Sequence, residues 1–323
     1  MTKLQAIYVL LLSGLGLFAM SAAAERPTDY LLPDNGDNVV GLVTTAFASH
    51  DDTLHDIGRR YGVGYQEMLA ANPGMDAWMP GEGTEVLIPS RYVIPDAPWE
   101  GIVINLPEQR LYYFPPAKKG ERRIVRTYPI STGKMDWKTP LGVTRIVSKR
   151  ENPNWTPPES VRKEHEERGD PLPKVVPPGP DNPLGAHAMR LGIPGGAYLI
   201  HGTNRPAGVG MQVTHGCIRM YPEHVAELFE LVPVKTKVNL VDQTTKVGWH
   251  RGTLFVERHS PLEGTDDPSH DDIDELTRAI NMAVDGRNVQ IDWSNAELAF
   301  LQATGVPVPV SVSGRSAANI NVE

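Results

Sequence analysis

Residues 101–114 read GIVINLPEQRLYYF. Two runs rich in β-branched and aromatic residues, 101–106 and 110–114, bracket Pro107-Glu108-Gln109, and this pattern predicts a β-hairpin. Working outward, residues 123–130, 142–148, 197–201 and 237–241 read as further strands, with Thr139-Pro140-Leu141-Gly142 as a turn into one of them. One helix is clear. Pro222 suits a first helical position, and Val225, Leu228, Phe229 and Val232 follow at helical spacing. Many strands with a single good helix over 98–241 predict a mainly β fold, a β-sandwich with decoration. Between 152 and 183 stand nine prolines. They lack the N–H that a sheet interior requires. Strands on both sides make this an insertion within a domain, read as a substrate-covering lid loop.

Upstream, residues 41–90 have a different rhythm. Leu42-Val43-Thr44-Thr45 reads as a strand, and Asp51 or Asp52 caps a helix carrying Leu54, Ile57 and Tyr61 on one face. Val63 opens a second helix with Met68 and Leu69, Asn72-Pro73-Gly74 stops it, and Val86-Leu87-Ile88-Pro89 closes the unit as a strand. This order, with Thr53-Leu54, Tyr61-Gly62-Val63 and Asn72-Pro73 in place, resembles a LysM module. Asp51-Asp52-Thr53 stands where that family usually has Gly-Asp-Thr, and the closing stretch from Gly83 to Pro89 is slightly shifted. The resemblance implies a small α+β (βααβ) domain that binds N-acetylglucosamine-containing glycans such as peptidoglycan.

At the ends, Lys3, an apolar run over 6–20 and Ala22-Ala23-Ala24 describe a signal peptide over 1–24. The expected location is therefore the periplasm, with an uncleaved inner-membrane anchor as the other reading. Residues 25–40 are polar and read as a linker. Residues 242–323 read as a C-terminal α/β extension, with a strand over 253–259, helices over 271–284 and 295–304, and an unstructured end from 311. The 29 prolines and 30 glycines favour strands and long loops over a helical bundle. With 31 basic against 39 acidic residues, a net charge of −8 and no basic stripe, nucleic acid is excluded as a partner. A single cysteine rules out an internal disulfide. An unpaired thiol in an exported protein needs either burial or a chemical role.

The neighbours of that thiol argue for chemistry. The chain runs Tyr198-Leu199-Ile200-His201-Gly202-Thr203-Asn204 and then Thr214-His215-Gly216-Cys217-Ile218-Arg219-Met220. A thiol nucleophile needs a base, because a free cysteine is mostly protonated at neutral pH. It also needs donors for an oxyanion and open access to the substrate. Gly216 permits close approach, and its amide with that of Cys217 can face an oxyanion. Arg219 can hold a carboxylate through two hydrogen bonds. Two histidines compete for the base. His201 ends an apolar strand and is held firmly, with the Gly202 carbonyl available to orient its ring. His215, two residues from Cys217 on a tight turn, is better placed to shape the oxyanion site or bind substrate. Spacing alone does not choose between them. His187, His201, His215 and Cys217 also carry zinc-ligating atoms, but none of the short zinc spacings is present. A functionless polar core is the remaining reading, and three glycines among these side chains make a poor core.

His201-Gly202-Thr203 followed by Thr214-His215-Gly216-Cys217-Ile218-Arg219 resembles the signature of the L,D-transpeptidase (YkuD-type) catalytic domain. Ser131-Thr132-Gly133-Lys134, Thr139 to Gly142 and the stretch from Pro177 to Gly185 resemble its Gram-negative periplasmic branch. Thr214 stands where Ser is commoner. The resemblance covers roughly residues 98–260 and implies a cysteine acyltransferase without cofactor or metal. Its donor would be a peptidoglycan stem tetrapeptide. Cys217 would attack the diaminopimelate carbonyl, D-alanine would leave, and His201 would relay the proton. Gly216, Gly202 and His215 would shape the site, and Arg219 and Thr214 would bind substrate. The acceptor would be a diaminopimelate side-chain amine, or the C-terminal Lys of an outer-membrane lipoprotein. Water as acceptor would make the protein a hydrolase, an L,D-carboxypeptidase. An inactive peptidoglycan-binding protein and a generic cysteine protease are the other classes.

Overall fold

The computed structural model describes residues 28–134, 138–195, 198–265 and 273–312. The signal peptide expected over 1–24 lies outside them, as do residues 313–323. Among the described residues no helix is long and apolar enough to cross a membrane.

The chain opens with β1 (Asp29–Leu31), followed by β2 (Val39–Phe47), α1 (Leu54–Arg60), α2 (Tyr65–Ala71) and β3 (Glu85–Val93). A central region holds β4 (Gly101–Asn105), β5 (Arg110–Phe114), β6 (Ile124–Gly133), β7 (Gly142–Glu151), α3 (Glu159–Glu167), β8 (His187–Leu191) and β9 (Leu199–His201). It continues through β10 (Gln212–Thr214), β11 (Ile218–Met220), α4 (Pro222–Leu231) and β12 (Lys237–Val241). The last part comprises β13 (Thr245–His250), β14 (Thr253–Arg258), α5 (Ile273–Val284), β15 (Gln290–Ile291), α6 (Trp293–Gln302), β16 (Val308–Pro309) and β17 (Ser311–Val312).

The fold is mainly β, but the sandwich expected from the sequence is not two separate sheets. Its strands follow one ladder in the order β6-β11-β9-β8-β7-β12-β4-β5, and β5 pairs again with β6 to close the ring. β6 makes this possible by its length. Residues 126–129 pair with β5, and Ile130 and Ser131 pair with β11. Closure removes the open edges that a sandwich must otherwise protect. Alternation within single strands carries no information about which edges join.

The 101–114 hairpin is buried on both faces, which explains its nearly continuous apolar character. Ile102, Ile104, Leu111 and Tyr113 point into the core with Ile146, Ile200, Ile218 and Leu228. Val103, Tyr112 and Phe114 point the other way, against Leu32, Val40, Tyr92 and Ile94. Residues 29–40, expected as a linker, carry β1, which pairs with β6, and Asp37, whose carboxylate accepts the Arg251 N–H at 2.7 Å. Ser311 and Val312, expected to be unstructured, pair as β17 with β15.

In the 39–93 unit, β2 and β3 pair antiparallel over nine residues each, and α1 and α2 pack Leu54, Ile57 and Met68 against Val86 and Ile88, with Val63 buried in the connection before α2 rather than opening that helix, which begins at Tyr65 after the Gly64 cap. The cap of α1 is Thr53, not Asp51 or Asp52. Thr53 and Asp56 form a reciprocal capping box. Asp52 instead pairs with Arg60 and accepts the Ser49 N–H. Tyr61, expected on the buried face, closes the helix at its C-terminus and is exposed.

Buried charges join this unit to the ring. Arg110, at the start of β5, donates from Nε and Nη2 to the two carboxylate oxygens of Glu67 on α2, at 2.8 and 2.7 Å. It also donates to the Gly62 carbonyl and lies 4.2 Å over the Tyr92 ring. Although burial opposes its charge, the Glu67 carboxylate holds the Arg110 guanidinium firmly protonated. A second buried cation, Lys246, bridges Glu108 of the hairpin loop and Glu257 of β14 at 2.7 and 2.8 Å, and donates to the Val93 carbonyl. Removing one partner of a buried pair strands the other charge. Glu67→Ala is therefore expected to cost about 3–5 kcal/mol of global stability. Chemical denaturation measures it, and a loss below about 1 kcal/mol would show that this pair does not hold the two units together.

Candidate active site

The site grows out of the pairing of two short parallel strands. β9 and β11 run side by side with Ile200 opposite Ile218 and His201 opposite Arg219. Side chains alternate along a strand, so Ile200, Ile218 and Met220 enter the core. Leu199, His201, Cys217 and Arg219 then share the opposite face. All four line one cavity of about 680 Å³, together with Thr214, His215 and Tyr198.

His201 is only 5% exposed. Its Nδ1 is 2.7 Å from the Gly202 carbonyl oxygen, which can only accept, so Nδ1 carries the proton and Nε2 is the basic nitrogen of the neutral ring. Burial, reinforced by the Arg219 cation, pushes the imidazole down to about 3, against the opposing pull of the Gly202 and Leu184 carbonyls. Burial also pushes the Cys217 thiol up, and the Leu199 backbone and Arg219 only partly offset this. The resting pair is thus neutral imidazole and thiol.

The turn carrying Cys217 is held from two sides. Gly216 adopts φ +90, a left-handed conformation that side chains disfavour, and its carbonyl accepts from Thr139 Oγ1 at 3.1 Å. Thr214, expected to bind substrate, is buried and donates its hydroxyl to the Cys217 carbonyl at 2.6 Å, which closes the turn. Gly202 lies under Val225 and the Leu184 carbonyl, where a Cβ would come within 3.1 Å of Val225. His187 lends its carbonyl to the Gly202 N–H, while its ring packs on Phe229 outside the cavity. Arg219 packs against Gly208, with Arg205 near enough to disfavour its charge further, and its buried Nε has no hydrogen-bond partner among the described residues.

The proline-rich segment forms the far wall. Trp155, Pro157, Pro158, Val161 and Leu184 face the same cavity as Cys217. Because prolines cannot pair through their own N–H, the fully buried Asn182 holds the segment. Its amide donates to the Pro153 and Pro177 carbonyls at 2.8 and 3.1 Å, and its oxygen accepts from Leu184 N–H. The segment also contains α3, where the sequence reading expected only loop. Pro157 and Pro158 precede the helix and exclude the signal of a polar cap, yet Glu159–Glu167 follows without a proline. From α3, Glu164 reaches His215 Nε2 at 3.0 Å. Asn182 and Glu164 carry no local signal of these contacts.

Among the described residues, the carboxylate and imidazole atoms close enough to share a metal are those of Glu108, Glu257 and His259, remote from the cysteine turn in sequence. The Lys246 ammonium already supplies the cation between the two carboxylates. Although burial opposes it, Lys246 and His259 hold the Glu257 carboxyl below its usual value.

Residues 100–240 match the family model of the YkuD L,D-transpeptidase catalytic domain. The chain is 42% identical to the probable L,D-transpeptidase YcfS of Escherichia coli over 260 residues, covering 78% of this chain and 80% of that protein. It is 36% identical to the probable L,D-transpeptidase ErfK/SrfK of the same organism over 293 residues, covering 88% and 92%. Against the probable L,D-transpeptidase YbiS of Escherichia coli the identity is 37% over 268 residues, covering 82% and 84%. Sequence likeness over most of both chains, joined to the site geometry, places this protein in the L,D-transpeptidase family.

Proposed function

We propose that the protein forms or exchanges L,D-peptide linkages in periplasmic peptidoglycan through a Cys217 thioester. The observation that supports this most is that His201, on β9, and Cys217, immediately before the paired strand β11, line the wall of a single cavity, with the His201 tautomer set by Gly202. In the acylation step Cys217 Sγ attacks the carbonyl of the third stem residue, diaminopimelate, as its proton passes to His201 Nε2. The Gly216 and Cys217 amides stabilise the oxyanion. The carbon–nitrogen bond then breaks, His201 returns the proton to the departing amine, and D-alanine leaves. In the second step an acceptor amine attacks the thioester, His201 takes its proton, and the thiol is restored. Arg219, with its unpartnered buried Nε, holds a substrate carboxylate. The acceptor is an amine, either of a second diaminopimelate or of a lipoprotein C-terminal Lys. Residues 152–183 act as the lid.

Residues 41–90, within the 39–93 unit, act as a LysM-type glycan-binding module. The exposed side chains Trp78 and Met79, with Trp78 beside the Tyr65 ring at 6.1 Å, offer an apolar platform for a sugar face.

Because the resting pair is neutral, the thiolate exists mainly during attack. Cys217 is therefore expected to react with iodoacetamide at pH 7 more slowly than a small free thiol, and its rate should still rise above pH 9. A reactivity plateau reached below pH 7 would instead reveal a standing ion pair. Incubation with disaccharide tetrapeptide followed by mass spectrometry tests the reaction itself. Expected are D-alanine release and an acyl adduct on Cys217, both lost in Cys217→Ala while glycan binding persists. His201→Ala is expected to lower kcat/KM by about 10²-fold or more, the scale of a lost general base, and His215→Ala by less. The reverse order would overturn the assignment of the base. Binding of glycan without any D-alanine release would identify a wall-binding protein.

A further inference from the structure

Glu164 lies where basic groups from separate parts of the chain converge. Its Oε2 is 3.0 Å from His215 Nε2, its Oε1 is 3.0 Å from Lys134 Nζ, and Oε1 also accepts from Arg168 Nη2 one turn along. His215 and Lys134 hold the carboxyl down at about 2, so it is anionic at any physiological pH. Lys134 follows β6, and its backbone N–H donates to the Thr214 carbonyl at 2.9 Å. Lys134 and His215 therefore belong to the same anchored scaffold as the Cys217 turn. Glu164 comes from the far wall, on the segment that Asn182 ties down.

The arrangement is a carboxylate held in a basic cradle, of which His215 lines the same cavity as Cys217. The groups are partly exposed, with the side chains of Glu164, His215 and Lys134 retaining 25%, 29% and 35% of their accessibility. Exposed pairs of this kind are weak and exchange readily with other ions. The proposed donor peptide carries carboxylates on both the diaminopimelate side chain and the terminal D-alanine, close to the carbonyl that Cys217 attacks. We propose that Lys134 and His215 form a carboxylate subsite for the stem peptide, and that Glu164 fills this subsite in the free enzyme as an internal stand-in which the substrate displaces. This inference rests on the stem-peptide reading of the site.

Affinity separates the subsite from the reaction. The full chain carrying Cys217→Ala binds donor without turnover, and calorimetric titration with tetrapeptide compares it with the same chain carrying Glu164→Gln as well. Removing the internal competitor is expected to tighten binding several-fold. The gain should vanish for a donor amidated on the diaminopimelate side chain or for one amidated on D-alanine, and the amide that abolishes it identifies the carboxylate. Lys134→Met in the Cys217→Ala background is expected to weaken the unmodified donor several-fold. A gain that persists with both amides would show Glu164 to be only a clasp on the lid. No gain, or weaker binding, would show that it does not compete with substrate. Either result overturns the proposal, whereas absence of D-alanine release by the unaltered protein would sink the proposed reaction instead.

Discussion

The parallel register of β9 and β11 governs what this site can do. Setting Ile200 against Ile218 sends both into the core, and strand alternation then puts His201 and Arg219 on the cavity face, which Cys217, just before β11, also lines. A slip of one residue on either strand would exchange the two sets. Apolar burial on one face of the sheet thus fixes the chemistry presented on the other. The register is protected in turn by the closed ladder, because β9 is paired with β8 on one side and β11 on the other, and β11 with β6.

Burial then sets the protonation states. A cysteine and a histidine placed together in water-accessible surroundings can exist as an ion pair. Here desolvation disfavours both charged forms, and the nearby Arg219 opposes a charged imidazole while favouring a thiolate. The ring is kept neutral, with its tautomer chosen by a backbone carbonyl in the position that carboxylates occupy in many triads. The same burial that keeps the ring neutral keeps the sulfur in its thiol form.

The three parts of the chain are joined by charges that are buried and paired. Arg110 couples the hairpin to α2, and Lys246 couples the hairpin loop to β14 while capping the end of β3. On the surface, Arg59 of α1 adds a bidentate pair with Glu223 at the start of α4. Backbone contacts continue the connection toward the site. The Gln66 N–H donates to the Gly210 carbonyl, and a Cβ at Gly210 would collide with Tyr65 and Gly64. The same loop presents Gly208 to Arg219 and lends its carbonyl to Ser131. The 39–93 unit therefore supports the loop that backs the site rather than hanging from a tether.

The elements legible in the sequence were those with local causes. The 101–114 hairpin, the helix after Pro222 and the β-rich character of 98–241 follow from alternation, helical spacing and turn residues. The candidate residues of the Cys217 turn stand within a few positions of one another in the sequence. Thr53 was missed as a cap because three potential caps stand in a row, and the capping box with Asp56 decides among them. α3 was missed because proline density masked the uninterrupted stretch behind Pro158. Only the tertiary structure decided that the ladder closes on β6, that Glu67 neutralises Arg110, that Asn182 satisfies the proline segment and that Glu164 reaches His215. Each of these depends on groups brought together by the fold, through ladder hydrogen bonds, the buried Glu67–Arg110 pair, buried carbonyls at Asn182 and a partly exposed Glu164–His215 contact, none of which a local pattern encodes. Sequence by itself determined which residues could do chemistry; the folded chain determined which face of the sheet they occupy and which protons they hold, because burial and register exist only once distant strands have met.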